Sequence, residues 1–109
     1  MISFEELAEW IVKNRRGNAF KDYSLLKIVE ELTLCSANDA LLYVTDESGI
    51  VGVACCYNDK ENKLLQGWDV LTIKPNVFRK MIDYARNKYL GYTVQVHNRK
   101  RQYITIIKP

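Results

Sequence analysis

The stretch Leu64-Leu65-Gln66-Gly67-Trp68-Asp69-Val70-Leu71-Thr72-Ile73, then Val77 to Tyr89, then Tyr92-Thr93-Val94-Gln95-Val96-His97, decides the fold. It reads as strand, amphipathic helix, strand. Phe78, Met81, Ile82, Ala85 and Tyr89 recur at helical spacing and give the middle segment one apolar stripe. Pro75 ends the first strand and suits the first turn of the helix; Gly91 ends that helix. A β-α-β unit buries its helix stripe on the sheet. It also aims the helix N-terminus beyond the end of the first strand, a natural place for an anion. Here that junction reads Ile73-Lys74-Pro75-Asn76, without a glycine.

Upstream, the period is helical. Ser3-Phe4-Glu5-Glu6 is a capping-box pattern, and Phe4, Leu7, Ala8, Ile11 and Val12 follow it on one face. Arg15 and Arg16 suit a helix C-terminus, and Gly17 is the expected stop. A second helix is expected from Ser24 to about Leu34, with Leu25, Ile28, Val29 and Leu32 on one face and Asn38-Asp39 as the break. The period then changes to that of strands over Ala40–Thr45 and Ile50–Tyr57, joined by Asp46-Glu47-Ser48-Gly49. Asn58-Asp59-Lys60-Glu61-Asn62 turns into the strand at Leu64. Downstream, Gln102–Ile107 pairs with Tyr92–His97 through a tip at Asn98-Arg99-Lys100-Arg101.

The expected fold is an α+β layered domain of order ααβββαββ: an antiparallel meander, a crossover helix and a C-terminal hairpin in one mixed sheet. The short polar connections make the first three strands antiparallel, and the helix permits a parallel crossover after them. The chain of 109 residues is read as one domain spanning 1–109.

A hydrophobic content of 48% argues against disorder. No apolar run approaches the length of a membrane-spanning helix, so no membrane partner is expected. Met1-Ile2-Ser3-Phe4-Glu5-Glu6 lacks the basic start of a signal peptide. Cys35, Cys55 and Cys56 are odd in number and lack metal-ligand spacing. Adjacent Cys55 and Cys56 on a strand point to opposite faces, which strains any bond between them. A reducing, cytoplasmic setting is expected, and no metal.

The net charge of +3 is unevenly distributed. Residues 1–69 hold 7 Lys/Arg and 12 Asp/Glu, whereas residues 70–109 hold 9 Lys/Arg and one acid, Asp83. Such a basic half can be solvated surface, or it can meet a polyanion or a phosphate-bearing cofactor. Lys74, Arg79 and Lys80 crowd the start of the crossover helix, where cations oppose the dipole and call for a local anion. Arg99, Lys100 and Arg101, beside His97 and flanked by Tyr92 and Tyr103, could track nucleic-acid phosphates while the aromatics stack on bases. The other reading is a charged tip that keeps an edge from aggregating.

The element order, with Gly49-Ile50-Val51-Gly52-Val53-Ala54, Trp68 to Ile73, Phe78 to Tyr89 and Val94-Gln95-Val96-His97-Asn98, resembles a reduced GCN5-related N-acetyltransferase superfamily member. Phe78-Arg79-Lys80-Met81-Ile82 and Gln102 to Lys108 look closest to acetyltransferase-like proteins of short-tailed phages. The resemblance implies transfer of an acyl group from acetyl-CoA to an amine. It makes Asp69, the acid of the third strand, the base that takes the amine proton, although an aspartate there also reads as surface. It places Thr72, Lys74, Arg79 and Lys80 against the cofactor. The chain departs from the family in two places. Lys74-Pro75-Asn76-Val77-Phe78-Arg79 contains none of the glycines that let a backbone approach a pyrophosphate, and Pro75 removes an amide donor. After Asn98 the chain runs straight into a strand, without the helix that often supplies a tyrosine acid. Weak or absent acetyl-CoA binding is therefore expected, with degenerate or absent acyltransferase activity. The alternative is a non-enzymatic module whose basic half binds nucleic acid or an acidic protein.

Overall fold

The computed structural model describes residues 2–98 and 100–109; Arg99 lies outside them. The elements run α1 (Phe4–Asn14), α2 (Leu25–Ala37), β1 (Leu41–Asp46), β2 (Gly49–Asp59), β3 (Leu64–Thr72), α3 (Val77–Lys88), β4 (Thr93–His97) and β5 (Tyr103–Ile107). The strands form a single mixed sheet in the order β1-β2-β3-β4-β5. Only β3 and β4, the pair joined through α3, run parallel. This is a three-helix, five-strand α+β fold in the expected element order. No described helix is long and apolar enough to cross a membrane.

Helices cover both faces of the sheet. One face carries α1 and α2, where Leu7, Ile11, Phe20, Ile28 and Leu32 are fully enclosed. The other carries α3, whose Met81 and Ala85 lie over Leu42, Ala54, Leu65 and Val94. The capping box of α1 forms as expected: Glu6 N donates to Ser3 Oγ at 3.1 Å, and Ser3 N donates to Glu6 Oε1 at 3.4 Å.

Two helix ends differ from expectation. α1 stops at Asn14, ahead of Gly17, because Arg15 turns extended and carries its side chain into the following loop. There its Nη1 donates to Phe20 O at 3.1 Å and to Tyr23 O at 2.6 Å. α2 continues past Leu34 to Ala37, burying Cys35, and Asn38 caps it by donating Nδ2 to Leu34 O at 3.1 Å.

Two irregularities in β3 position the site. The first is a bulge against β2: Cys55 lies opposite Asp69 and Cys56 opposite Gly67, so Trp68 is an extra residue. A bulge shifts the in-out alternation by one. Leu65 and Gly67 face α3, but after Trp68 it is Val70 that faces α3, and Asp69 turns to the α1–α2 side. The second is the early end of the parallel ladder. Pairing with β4 runs from Leu64–Thr93 to Gly67–Val96 and stops, while β3 continues to Thr72.

Candidate ligand-binding cleft

A cleft of about 560 Å³ opens where β3 and β4 part, between Gly67, Trp68 and Val70 on one side and His97, Asn98 and Arg101 on the other. The α1–α2 loop, at Arg16 to Ala19, closes a third wall. A second lobe of about 330 Å³ adjoins it and reaches Asp69, Tyr23 and Glu31. Trp68, His97, Asn18 and Arg101 line both lobes. The volumes lie in the range of small-molecule sites, with walls more polar than is usual for them.

Asp69 forms the floor of the second lobe. It is 8% exposed, so the surface reading of this aspartate is corrected: the bulge at Trp68 turns it inward. Its Oδ1 accepts from Phe20 N at 2.9 Å. Its Oδ2 has no hydrogen-bond partner among the described residues and is not sealed in the core, which leaves it facing the cleft. Burial pushes the Asp69 carboxyl above the ordinary carboxylate range, opposed by the Phe20 N–H and by the positive charge of Arg101. Burial, and then the charge of Asp69, likewise raises the Tyr23 phenol. Glu31 is already paired, 3.1 Å from Lys27 Nζ.

The roof is a strained loop. Phe20 has φ +54° and Asp22 φ +63°, in the left-handed region that bulky residues avoid. Arg15, gripping two carbonyls, and the enclosed Phe20 ring hold it there. The far wall is the hairpin turn, organised by Asn98. Its Oδ1 accepts from Lys100 N at 2.9 Å and Gln102 N at 3.0 Å. His97 lies against Tyr103, ring centroids 4.1 Å apart, so the histidine is held in the wall of the cleft.

The other residues expected at a site lie outside this cleft or are occupied. Thr72 is half-buried, and its carbonyl accepts from Arg16 Nη2 at 3.1 Å. The Lys74 ammonium has its anion within the chain, 2.8 Å from Asp46 Oδ2, and holds that carboxyl well below its ordinary range. Arg79 and Lys80 are exposed on the first turns of α3, away from both lobes. Lys100 is exposed at the hairpin, whereas Arg101 reaches the cleft; Arg99 lies outside the described residues. Tyr92 does not flank the hairpin tip but packs edge-on against Tyr89 at the far end of β4. Arg16, Tyr23, Glu31 and Trp68 complete the cleft without having been expected at a site, and His97, expected beside the basic hairpin, joins them. The one trace of their grouping is Gly67, since glycine within a strand often marks a bulge.

The start of α3 lacks the glycines that would let a backbone close around a pyrophosphate. Pro75 has no N–H, Asn76 makes no side-chain cap, and the Val77 N–H is spent on Lys74 O, which leaves the N–H groups of Phe78 and Arg79 as the open donors of the first turn. The Lys74 charge is neutralised by Asp46. No group of three or more potential metal ligands occurs among the described residues. The three cysteines are free and enclosed. Burial pushes the Cys56 thiol up to about 12, which leaves it unsuited to act as a nucleophile. Comparison with family models, with curated proteins and with solved structures finds no match for this chain.

Proposed function

We propose that this chain is a reduced acetyltransferase-like domain that binds a small polar ligand in the cleft between β3 and β4, without acyl-CoA chemistry. The carrying observation is the early end of the parallel ladder at Gly67–Val96, which opens a cleft floored by a nine-tenths buried carboxylate. The element order and the parallel crossover support the likeness in fold. The lack of glycines and of a Pro75 N–H at the start of α3, with the internal Lys74–Asp46 pair, argues against a phosphate-bearing cofactor.

The polyanion reading draws less support. Lys74, Arg86 and Lys88 each pair with an aspartate, and two of those partners, Asp46 and Asp39, come from the acidic part of the chain. Part of the basic charge is therefore matched by acidic groups in space.

Two measurements test the reading. Calorimetric titration with acetyl-CoA at moderate salt should show no micromolar binding, and such binding would overturn the cofactor part. An amide-shift NMR screen with a library of small aqueous fragments should give hits that perturb Trp68, His97 and Asn98 together. Hits confined to the α3 face would place the ligand elsewhere and defeat the cleft.

A further inference from the structure

Two opposite charges share the cleft without touching. Asp69 and Arg101 both line the inner lobe, close enough that Arg101 lowers the carboxyl pKa, yet no ion pair joins them. Asp69 keeps one unpartnered oxygen facing the cleft, and Arg101 makes no side-chain hydrogen bond among the described residues. Burying a carboxylate this deeply is costly unless it is paired. Among the described residues the Phe20 N–H answers one oxygen of Asp69, but no cation pairs with the carboxylate.

The outer lobe adds to the asymmetry. It contains Arg16 and Arg101 and no acid, whereas the inner lobe contains Asp69 and Glu31. Glu31 is taken by Lys27, which leaves Asp69 as the available anion. Lys21 lines the inner lobe as an exposed group. Trp68, shared by both lobes, offers an apolar wall between the two poles.

Resting on the reading of this cleft as a ligand site, we propose that its ligand is a zwitterion of the amino-acid class. The ammonium sits at Asp69 Oδ2. The carboxylate sits at Arg101 with Arg16 beside it, and the carbon skeleton lies against Trp68. A carboxylate suits a guanidinium because the fork of N–H donors matches its two oxygens. The ammonium supplies the hydrogen bonds and the charge that Asp69 lacks. A simple amine would leave Arg101 unanswered, and a simple carboxylate would face Asp69 with a like charge.

The test is a calorimetric and amide-shift titration of the intact protein with the standard amino acids, β-alanine and γ-aminobutyrate. Their N-acetyl derivatives and methyl esters are titrated alongside. At least one free amino acid should bind, and each blocked form should bind about tenfold or more weakly, as expected for loss of a charged hydrogen-bonded contact. Asp69→Asn should abolish the preference for a free ammonium while keeping an acceptor for Phe20 N. Arg101→Gln should abolish the preference for a free carboxylate. Equal binding of esters and free acids would overturn the zwitterion while leaving the cleft as a ligand site. Absence of binding across the panel at about 10 mM, an affinity below roughly 3 kcal/mol, would also overturn it. In that case fragment hits at Trp68 and His97 would show that only the ligand class was wrong, and their absence that the cleft reading failed too.

Discussion

The Phe20 backbone N–H donates to Asp69 Oδ1 at 2.9 Å, tying the loop between two helices to a strand 49 residues further along the chain. The bond joins a backbone held at φ +54° to a carboxylate that is 8% exposed. Neither group sits comfortably alone. The loop needs an anchor to keep its conformation, and the carboxylate needs a donor to be buried.

Phe20→Ala tests how far that anchor depends on the ring. The side chain is fully enclosed, and alanine keeps a Cβ, so backbone strain persists while a cavity forms. Loss of stability should be about 3–5 kcal/mol, read by urea unfolding. Amide exchange should rise at Ala19, Lys21 and Asp22 more than in β1, because the loop loses its apolar tether while the sheet does not.

Asp69→Asn should stabilise the protein near neutral pH. The folded-state pKa of Asp69 is raised above its unfolded value by burial, so the fold favours the protonated form. Its contribution to stability is fully present below the ordinary carboxylate pKa and is lost as pH rises through the raised folded value. The titratable groups that share its lobe are Lys21, Tyr23, Glu31, His97 and Arg101. Asparagine stays neutral and still accepts from Phe20 N. The stability advantage of the variant should therefore be small at pH about 4 and widen toward neutrality. Denaturant curves across that range check it; a gap that narrows with rising pH would show that Asp69 is stabilised as a carboxylate.

The element order is legible because periodicity changes sharply at Ala40 and again at Pro75, and tertiary packing agrees with both changes. The hairpin turn is equally legible from its polar run. The cleft is not, because its acidic floor depends on one unpaired residue. Strict alternation from Leu65 would put Asp69 beside Leu65 and Gly67 on the α3 face. The bulge at Trp68 reverses that phase, and single-residue slips leave little trace in composition. The charge asymmetry misleads for a related reason. Lys74 and Lys88 find Asp46 and Asp39 only after β1 folds beside α3, a long-range pairing that no local pattern records.

Gly52→Ala should destabilise the α3 layer. A Cβ at Gly52 would lie 2.6 Å from Val77 Cγ1 and 3.2 Å from Met81 Sδ. Val77 is β-branched and sits in the first turn of α3, so it yields only if the helix start moves. The cost should be about 1–3 kcal/mol, as for overpacking elsewhere. Thermal unfolding measures it, and Val77→Ala in the same chain should restore much of the loss. Failure of that rescue would mean that the clash is not what α3 feels.

Lys100 and Arg101 are adjacent in sequence but differ in surroundings, so their substitutions should separate two effects. Arg101 faces Asp69 and lowers its pKa, whereas Lys100 is exposed at the hairpin and does not line the lobe. Arg101→Gln should therefore move the Asp69 titration to higher pH, followed by side-chain carboxyl NMR, while Lys100→Ala should leave it in place. Any binding of duplex or single-stranded nucleic acid should respond differently. There each lost phosphate contact flattens the slope of log affinity against log salt by roughly one unit. Replacing Arg99, Lys100 and Arg101 together by alanine should then remove roughly two to three units with little change in sequence preference. Fluorescence anisotropy across a salt series reads that slope. Equal shifts of the Asp69 titration in the Lys100 and Arg101 variants would show that the hairpin acts on the cleft through its net charge rather than through the guanidinium beside the carboxylate.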